Sequence, residues 1–325
     1  MVCCELGIRG YYKFLNMKFK DIVSLMIKKP YLIEMGKGKL SKRFNCTTDD
    51  IVRARKEAKR CLKDIQDINE YNGAPKVLIF DIETSPMISY TWGRWNQNVS
   101  LDQTIQESYM ICWSACWLHS KDVFGECLTS EEAIVGNDDR IVRSLWEYVN
   151  EADILVAYNG EAFDVKKING MFFLKGLNPP SPYKVVDPCK VAKSKFDFSS
   201  NKMDALAGYL GIETKIHTDF NLWKRCMNGD VEALNYMFEY NKKDVEILRE
   251  IYVKMLPYIT NHPNVCNYVG NVMCCTHCGE NEKYELLEGY YYYTNTNKYQ
   301  VYRCLTCGSL FRDRKALKIN RPNVI

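Results

Sequence analysis

The sequence predicts an α/β protein: a mixed sheet flanked by helices, preceded by a helical segment and followed by a small cysteine-held one. Three observations carry this expectation. Between residues 77 and 264, strand-length apolar runs alternate with amphipathic helical stretches, the pattern of a mixed sheet with helices on its faces. Residues 1–76 show helix-period apolar spacing and capping signals. Residues 265–325 carry two Cys-x-x-Cys pairs around a tyrosine-rich stretch. The expected organisation is therefore a helical, helix-turn-helix-like segment and linker at 1–76, an α/β domain at 77–264 and a ribbon at 265–325.

The 325 residues suffice for two or three domains, and 46% hydrophobic with 26% charged is ordinary globular composition. No apolar stretch approaches the length of a membrane span, and the opening Met1-Val-Cys-Cys-Glu5 lacks a signal-peptide pattern. The 15 cysteines are scattered, many inside apolar runs such as Ile111–Trp117. The expectation is thiols in a reducing, cytoplasmic compartment rather than a disulfide frame. The net charge of +4 is unevenly spread: +8 over 1–76, −7 over 77–264 and +3 over 265–325. Basic ends suit a polyanion, and an acidic centre suits cations.

Taken in order, Asp21–Lys29 is apolar at helical spacing and stops before Pro30. Gly38–Phe44 is a short helix, Asn45-Cys46 a turn, and Thr47 or Thr48 caps a longer helix. That helix turns Ile51, Ala54, Ala58 and Leu62 inward and Arg53, Lys56, Lys59 and Arg60 outward. Helix, tight turn and basic helix is the layout of a helix-turn-helix. Asn69–Lys76 reads as a linker. Val77–Phe80 and Tyr109–Leu118 read as strands, with Val123-Phe124 a hairpin partner for the second. A helix over Asp139–Asn150 and strands at Ile154–Ala157 and Tyr183–Val186 follow. Ser200 or Asn201 caps a helix closed by Gly211, and Asp230 caps a long helix to Met255 that buries Val231, Leu234, Met237, Phe238, Leu248 and Ile251.

The candidate chemistry is carboxylate. Asp81 and Glu83 end the apolar run Val77–Phe80 and, at strand period, share one face. Two like charges held that close call for a cation, and oxygen ligands favour Mg2+ or Mn2+. The alternative is a strand-ending Asp81 beside a solvated Glu83. Asp164 starts a helix just after a buried strand, a common ligand position in α/β sheets. Asp187 ends a strand before Pro188 and reads as supporting or structural. Tyr240 and Asp244 lie one helical turn apart, on one face.

The order Asp81-x-Glu83, Asn159-x-x-x-Phe163-Asp164 and Tyr240-x-x-x-Asp244 resembles the DEDD 3′–5′ exonucleases, the DnaQ-like branch of the ribonuclease H-like superfamily. The resemblance covers 77–256. Asn201–Gly211 and Trp223–Gly229 are similar in style to phage-encoded exonucleases related to the proofreading domain of family B polymerases. It implies a ribonuclease H-like fold and a metal set of Asp81, Glu83, Asp164 and Asp244. A tyrosine, not a histidine, precedes the last acid at motif spacing, which implies the Tyr subtype. It further implies Asp81 bridging two Mg2+ or Mn2+ ions and Glu83 and Asp244 completing the site where water is activated. Asp164 would support the second ion, and Tyr240 would orient the water. Thr84, Asn159 and Phe163 would contact substrate, Phe163 being equally suited to a core.

Cys275-Thr-His-Cys278 and Cys304-Leu-Thr-Cys307, each followed by glycine, read as four thiolates of a structural Zn2+ site. Cys274 and His277 lie near enough to substitute. Between the pairs, Tyr290–Tyr293, a turn at Thr294–Asn297 and Tyr299–Arg303 read as a hairpin. Its tyrosines, with Arg303, Arg312, Arg314 and Lys315, suit either single-strand binding or a structural ribbon.

The expected function is a metal-dependent 3′–5′ exonuclease releasing nucleoside 5′-monophosphates, with a single-stranded 3′ end as substrate. DNA is expected, and an exoribonuclease stays open because these motifs do not read a 2′-hydroxyl. The expected enzyme acts alone or proofreads in trans for a separate DNA polymerase or replication protein, in a host cytoplasm if phage-encoded. The rival reading is a DNA-binding regulator or adaptor on a nuclease scaffold.

Overall fold

A computed structural model describes residues 19–29, 31–70, 74–212, 218–268 and 273–318; the side chains of 28, 31 and 60–70 and the chain at His217 lie outside the description. The chain forms two units, Met1–Asn72 and Gly73–Ile325.

In the first unit, α1 (Phe19–Lys28), α2 (Tyr31–Glu34), α3 (Lys37–Phe44) and α4 (Thr48–Glu70) follow one another. Their buried side chains include Ile22, Met26, Leu32, Leu40, Phe44, Ile51, Ala54 and Ala58. Asn45 closes α3 in the left-handed region at φ 50°. Thr47 caps α4: its Oγ1 accepts from Asp50 N at 3.1 Å, and Asp50 Oδ2 accepts from Thr47 N at 3.2 Å. Arg53, Lys56 and Lys59 are exposed. The expected inward Leu62 and outward Arg60 lie among the side chains outside the description. Two details differ from the sequence reading. Four-residue α2 is too short to show a period, and α4 runs on to Glu70, so Asn69 is helical rather than linker.

The second unit opens with β1 (Val77–Thr84), β2 (Ile88–Ser89), β3 (Thr104–Gln106), β4 (Met110–Trp117) and β5 (Phe124–Cys127). Then come α5 (Ser130–Val135), α6 (Asp139–Glu151), β6 (Ile154–Val156), α7 (Asp164–Leu174), β7 (Lys184–Val186), α8 (Pro188–Lys195), α9 (Met203–Tyr209), α10 (Phe220–Met227) and α11 (Val231–Met255). The main sheet has the order β5-β4-β1-β6-β7. β4 is antiparallel to β1 and β5, whereas β6 and β7 run parallel to β1. This mixed five-stranded sheet flanked by helices fits a ribonuclease H-like α/β fold.

Strand period divides β1 between two cores. Leu78, Phe80 and Ile82 join Ile141, Leu145, Ile168 and Phe172 of α6 and α7. Val77 and Ile79 join Val191, Leu206, Val245, Leu248 and Tyr252 of α8, α9 and α11. Asp81 and Glu83 continue this second face toward α11.

Three expectations are corrected. β1 does not stop at Phe80 but runs to Thr84: Asp81 and Glu83 lie within the strand, opposite Ser114 and Cys112 of β4, against the alternative of a strand-ending Asp81. The parallel partner β6 stops opposite Ile79, which leaves the carboxylates beyond its end. The residue capping α9 is Lys202, not Ser200 or Asn201; Ser200 Oγ accepts from Lys202 N instead, and Asn201 O accepts from the Tyr158 hydroxyl. Val231 is exposed, because it sits in the first turn of α11. Asp230 does cap that helix, accepting from Ala233 N at 3.1 Å.

The remaining chain forms a three-stranded antiparallel sheet, β8 (Tyr284–Tyr293), β9 (Lys298–Cys304) and β10 (Leu310–Arg312). Cys278 and Cys307 pack against the core that contains the end of α11. His277 donates from Nε2 to Ile259 O at 3.0 Å, and the Tyr252 hydroxyl lies 2.7 Å from His262 Nε2. Cys266 and Cys274 form a disulfide where thiols were expected, while ten other described cysteines are free. Val265 N bonds Thr276 O, which brings the two Cα atoms to 5.9 Å, within bridging range. Among the described residues, no helix is long and apolar enough to cross a membrane.

Candidate metal centre and active site

The site is built where β1 crosses α11. Buried residues recur along α11 as Asn241, Asp244, Val245, Leu248, Ile251, Tyr252 and Met255, one helical stripe. Its later turns meet Val77 and Ile79. One turn earlier, Asp244 meets Asp81 and Glu83, and a carboxylate oxygen from each lies within 4.8 Å of the others. Asp244 is only 8% exposed. It is part of the buried stripe.

Asp164 is the first residue of α7 and is 3% exposed. Its carboxylate accepts from the backbone N–H of Ile82, which lies past the end of β6. The turn before it is tight. Asn159 takes φ 57°, and a Cβ on Gly160 would lie 2.3 Å from that of Ala157. Asp187 Oδ1 accepts from Asn159 N and Cys189 N at 2.9 and 3.0 Å, so Asp187 ties this turn to the start of α8. Asn159 and Phe163 are exposed beside Asp164; Phe163 is not core. Thr84 is half-buried.

Burial and mutual repulsion hold protons on these acids. Burial, then Asp164, Glu83 and Asp244, push Asp81 well up, opposed by a hydrogen bond from Asn241. Burial, then Asp244 and Asp164, raise Glu83 to about 8. Burial raises Asp244 to about 7 against a hydrogen bond from Tyr240, and raises Asp164 to about 6 against its backbone bonds. Burial and the same carboxylates push the Tyr240 hydroxyl up, so it stays protonated and donates. Among the described residues, no lysine or arginine forms an ion pair with any of the four acids. An uncompensated all-oxygen cluster fits a hard divalent cation.

A pH dependence follows. Folded carboxyls with raised pKa keep protons that the unfolded chain gives up near pH 4. Folded stability therefore falls as pH rises from about 4 to 8, and a cation that replaces the protons restores it. The melting temperature of metal-free protein should be lower at pH 8 than at pH 5. Saturating Mn2+ should raise it by ~5–10 °C at pH 8 and far less at pH 5. Equal Mn2+ shifts at both pH values would contradict this.

Three residues of the site were not predicted as members. Asn241 is fully buried and donates from Nδ2 to Asp81 Oδ2 at 2.7 Å. Trp223 of α10 hydrogen-bonds Glu83. Asp204 of α9 adds negative charge near Asp244. Trp223 and Asp204 fall in segments singled out by resemblance, whereas Asn241 carried no signal beyond its place next to Tyr240. Asn241→Leu should lower turnover ~10–100-fold by freeing Asp81 to rotate, with Asn241→Asp no substitute because it adds a fifth carboxylate. Initial rates at saturating Mg2+ would measure this.

A second cluster joins Cys275, Cys278, Cys304 and Cys307, whose sulfurs all lie within 4.8 Å. Cys275 and Cys307 sulfurs are 3.6 Å apart, as are those of Cys278 and Cys304. Gly279 and Gly308 both take φ near 80° and donate N–H to Cys275 O and Cys304 O at 2.9 Å, closing two matching turns. Four sulfurs converging from two turns are compatible with a bound metal. His277 is held by Ile259 and Cys274 by Cys266, so neither joins the cluster.

No curated protein matches the chain. The similarity found begins after β1: it takes in Asp164 and Asp244 but not Asp81 and Glu83, which the sheet brings against Asp244. With the acidic cluster, it supports a metal-dependent nuclease. Residues 101–256, just under half of the chain, match the family model RNase_H_2, of the RNase_H superfamily.

Proposed function

We propose that the chain is a 3′–5′ exonuclease of the DEDD type, Tyr subtype, releasing nucleoside 5′-monophosphates. The observation that carries this reading is the convergence of Asp81, Glu83 and Asp244, with Asp164 electrostatically coupled to the first two and Tyr240 bonded to Asp244. The four carboxylates would hold two Mg2+ or Mn2+ ions. Bound divalent ions neutralise phosphate charge and lower the pKa of water. The chain's own residues do the rest. Asn241 fixes the Asp81 carboxylate and Trp223 that of Glu83. The Tyr240 hydroxyl orients the attacking water beside Glu83. Asn159 and Phe163, exposed on the turn that places Asp164, with Thr84 at the end of β1, contact the terminal nucleotide.

In this reading residues 77–264 are the nuclease and 265–325 a ribbon held by Zn2+ at Cys275, Cys278, Cys304 and Cys307. The exposed Arg53, Lys56 and Lys59 of α4 supply phosphate contacts. A separate polymerase or replication protein is the partner if the enzyme proofreads.

The experiment is a time course on 5′-labelled DNA and RNA oligonucleotides in Mg2+ or Mn2+. A ladder shortening one nucleotide at a time from the 3′ end, with 5′-monophosphate products, supports the reading. Internal cuts or release from the 5′ end contradict it.

A further inference from the structure

Between Ser85 and Tyr109 the chain leaves the sheet as an arm. Its stem is clasped: Ser85 N donates to Tyr109 O at 2.8 Å, Tyr109 N to Ser85 Oγ at 3.0 Å and Ser108 Oγ to Ser85 O at 2.7 Å. Within it, β2 pairs with β3, and Tyr90 N bonds Gln103 O at 2.9 Å. Its own hydrogen bonds hold the tip: Thr91 Oγ1 to Gly93 O, Gln97 Nε2 to Trp95 O and Gln103 Nε2 to Tyr90 O. This ordered arm displays its largest apolar side chains to solvent. Trp92 is 98% exposed, Trp95 84% and Tyr90 72%. An ordered loop that leaves two indoles in water forgoes a large burial gain, and such exposure marks a binding surface.

The chemistry of the tip selects the ligand. The tip, residues 86–101, contains no Asp or Glu, inside a domain whose balance is −7, and contains Arg94; the arm's acids, Asp102 and Glu107, lie on its returning side. The aromatic rings alternate with Thr91, Arg94, Asn96, Gln97 and Asn98, all hydrogen-bonding side chains. Separated rings with donors between them suit stacked bases and their phosphates, whereas a protein core would want a continuous apolar face. The stem begins two residues past Glu83, and Trp92 lies at most ~30 Å of extended chain beyond that carboxylate.

We propose that residues 86–101, the tip of this arm, bind single-stranded nucleic acid by stacking bases on Trp92, Trp95 and Tyr90, behind the end held at the carboxylates. The polarity of the bound strand rests on the exonuclease reading; the stacking itself does not.

The test uses the full chain carrying Asp81→Asn, without added metal, and a labelled oligothymidylate followed by fluorescence anisotropy at fixed salt. Adding Trp92→Ala and Trp95→Ala should weaken binding about 30-fold or more, since each stack contributes ~1–3 kcal/mol. Trp92→Phe with Trp95→Phe should keep affinity within a few-fold. The double Ala variant should melt at the parent's temperature, because both indoles are exposed and leave no cavity when truncated. Unchanged oligonucleotide affinity in the double Ala variant overturns the proposal. So does unchanged affinity with lost self-association in sedimentation, which would make the arm a protein dock. If the native chain binds through the arm but removes no 3′ nucleotide, the arm stands and the exonuclease reading falls. If 3′ removal proceeds and the arm variants bind as the parent does, the reverse holds.

Discussion

Asp81→Asn should abolish hydrolysis while stabilising the metal-free fold. Asp81 lies against Glu83 and Asp244, and burial, then Asp164, Glu83 and Asp244, push its carboxyl well up. Removing its charge removes the group best placed to hold cations between the others. The loss should be at least ~10²–10³-fold in turnover, the scale of deleting one preorganised electrostatic group from an active site. The stability change runs the other way. Asn keeps the shape and has no proton to lose, so the metal-free fold no longer bears the cost of holding Asp81 protonated or burying its charge, and unfolding at pH 8 should cost about 1–3 kcal/mol more. At pH 4 the difference should vanish, because the native acid is then protonated. Thermal melts across pH, beside activity, separate this from a variant that is inactive because it fails to fold. A destabilised Asp81→Asn protein at pH 8 would show that the carboxylates are not in electrostatic conflict.

The second large effect concerns the cysteine cluster. If Cys275, Cys278, Cys304 and Cys307 hold Zn2+, metal analysis should find one zinc per chain, and Cys278→Ser with Cys307→Ser should remove it. Structural zinc contributes roughly 10–16 kcal/mol to the folding of a small site. The ribbon has only a small apolar core, Cys275, Cys304 and Phe311 with Tyr284 and Tyr302 against it. It should therefore unfold without metal. Cys278 and Cys307 also pack against the core that includes Tyr252, Met255 and Leu256. Losing that cover should lower the main melting transition as well, by ~5–10 °C. A zinc-free protein with an unaltered melt would contradict the assignment.

How legible this was depended on range. Asp81 and Glu83 stood out because a strand of period two puts them on one face of an apolar run, a local fact. Asp164, Tyr240 and Asp244 were weak signals alone and gained weight from their order along the chain. Asn241 was illegible: a polar residue on a long helix reads as solvated, and only the crossing of α11 over β1 buries it against Asp81. The extent of β1 was misjudged for a similar reason, since charged residues end a strand pattern while β4 supplies the partner that extends it. The arm at 86–101 has no period to read. Side-chain bonds to backbone hold it, and those depend on three-dimensional closure at Ser85 and Tyr109. The Cys266–Cys274 bridge likewise follows from Val265 pairing with Thr276, not from spacing.

The central claim is that Asp81, Glu83, Asp164 and Asp244 form one divalent-cation site that drives phosphodiester cleavage. Mn2+ binding counted by electron paramagnetic resonance at pH 8, with a nucleoside 5′-monophosphate present, tests it most directly. The native chain should bind two Mn2+ ions and Asp81→Asn at most one, with hydrolysis lost in step. Equal Mn2+ binding by the two proteins, or none by the native chain, would contradict it.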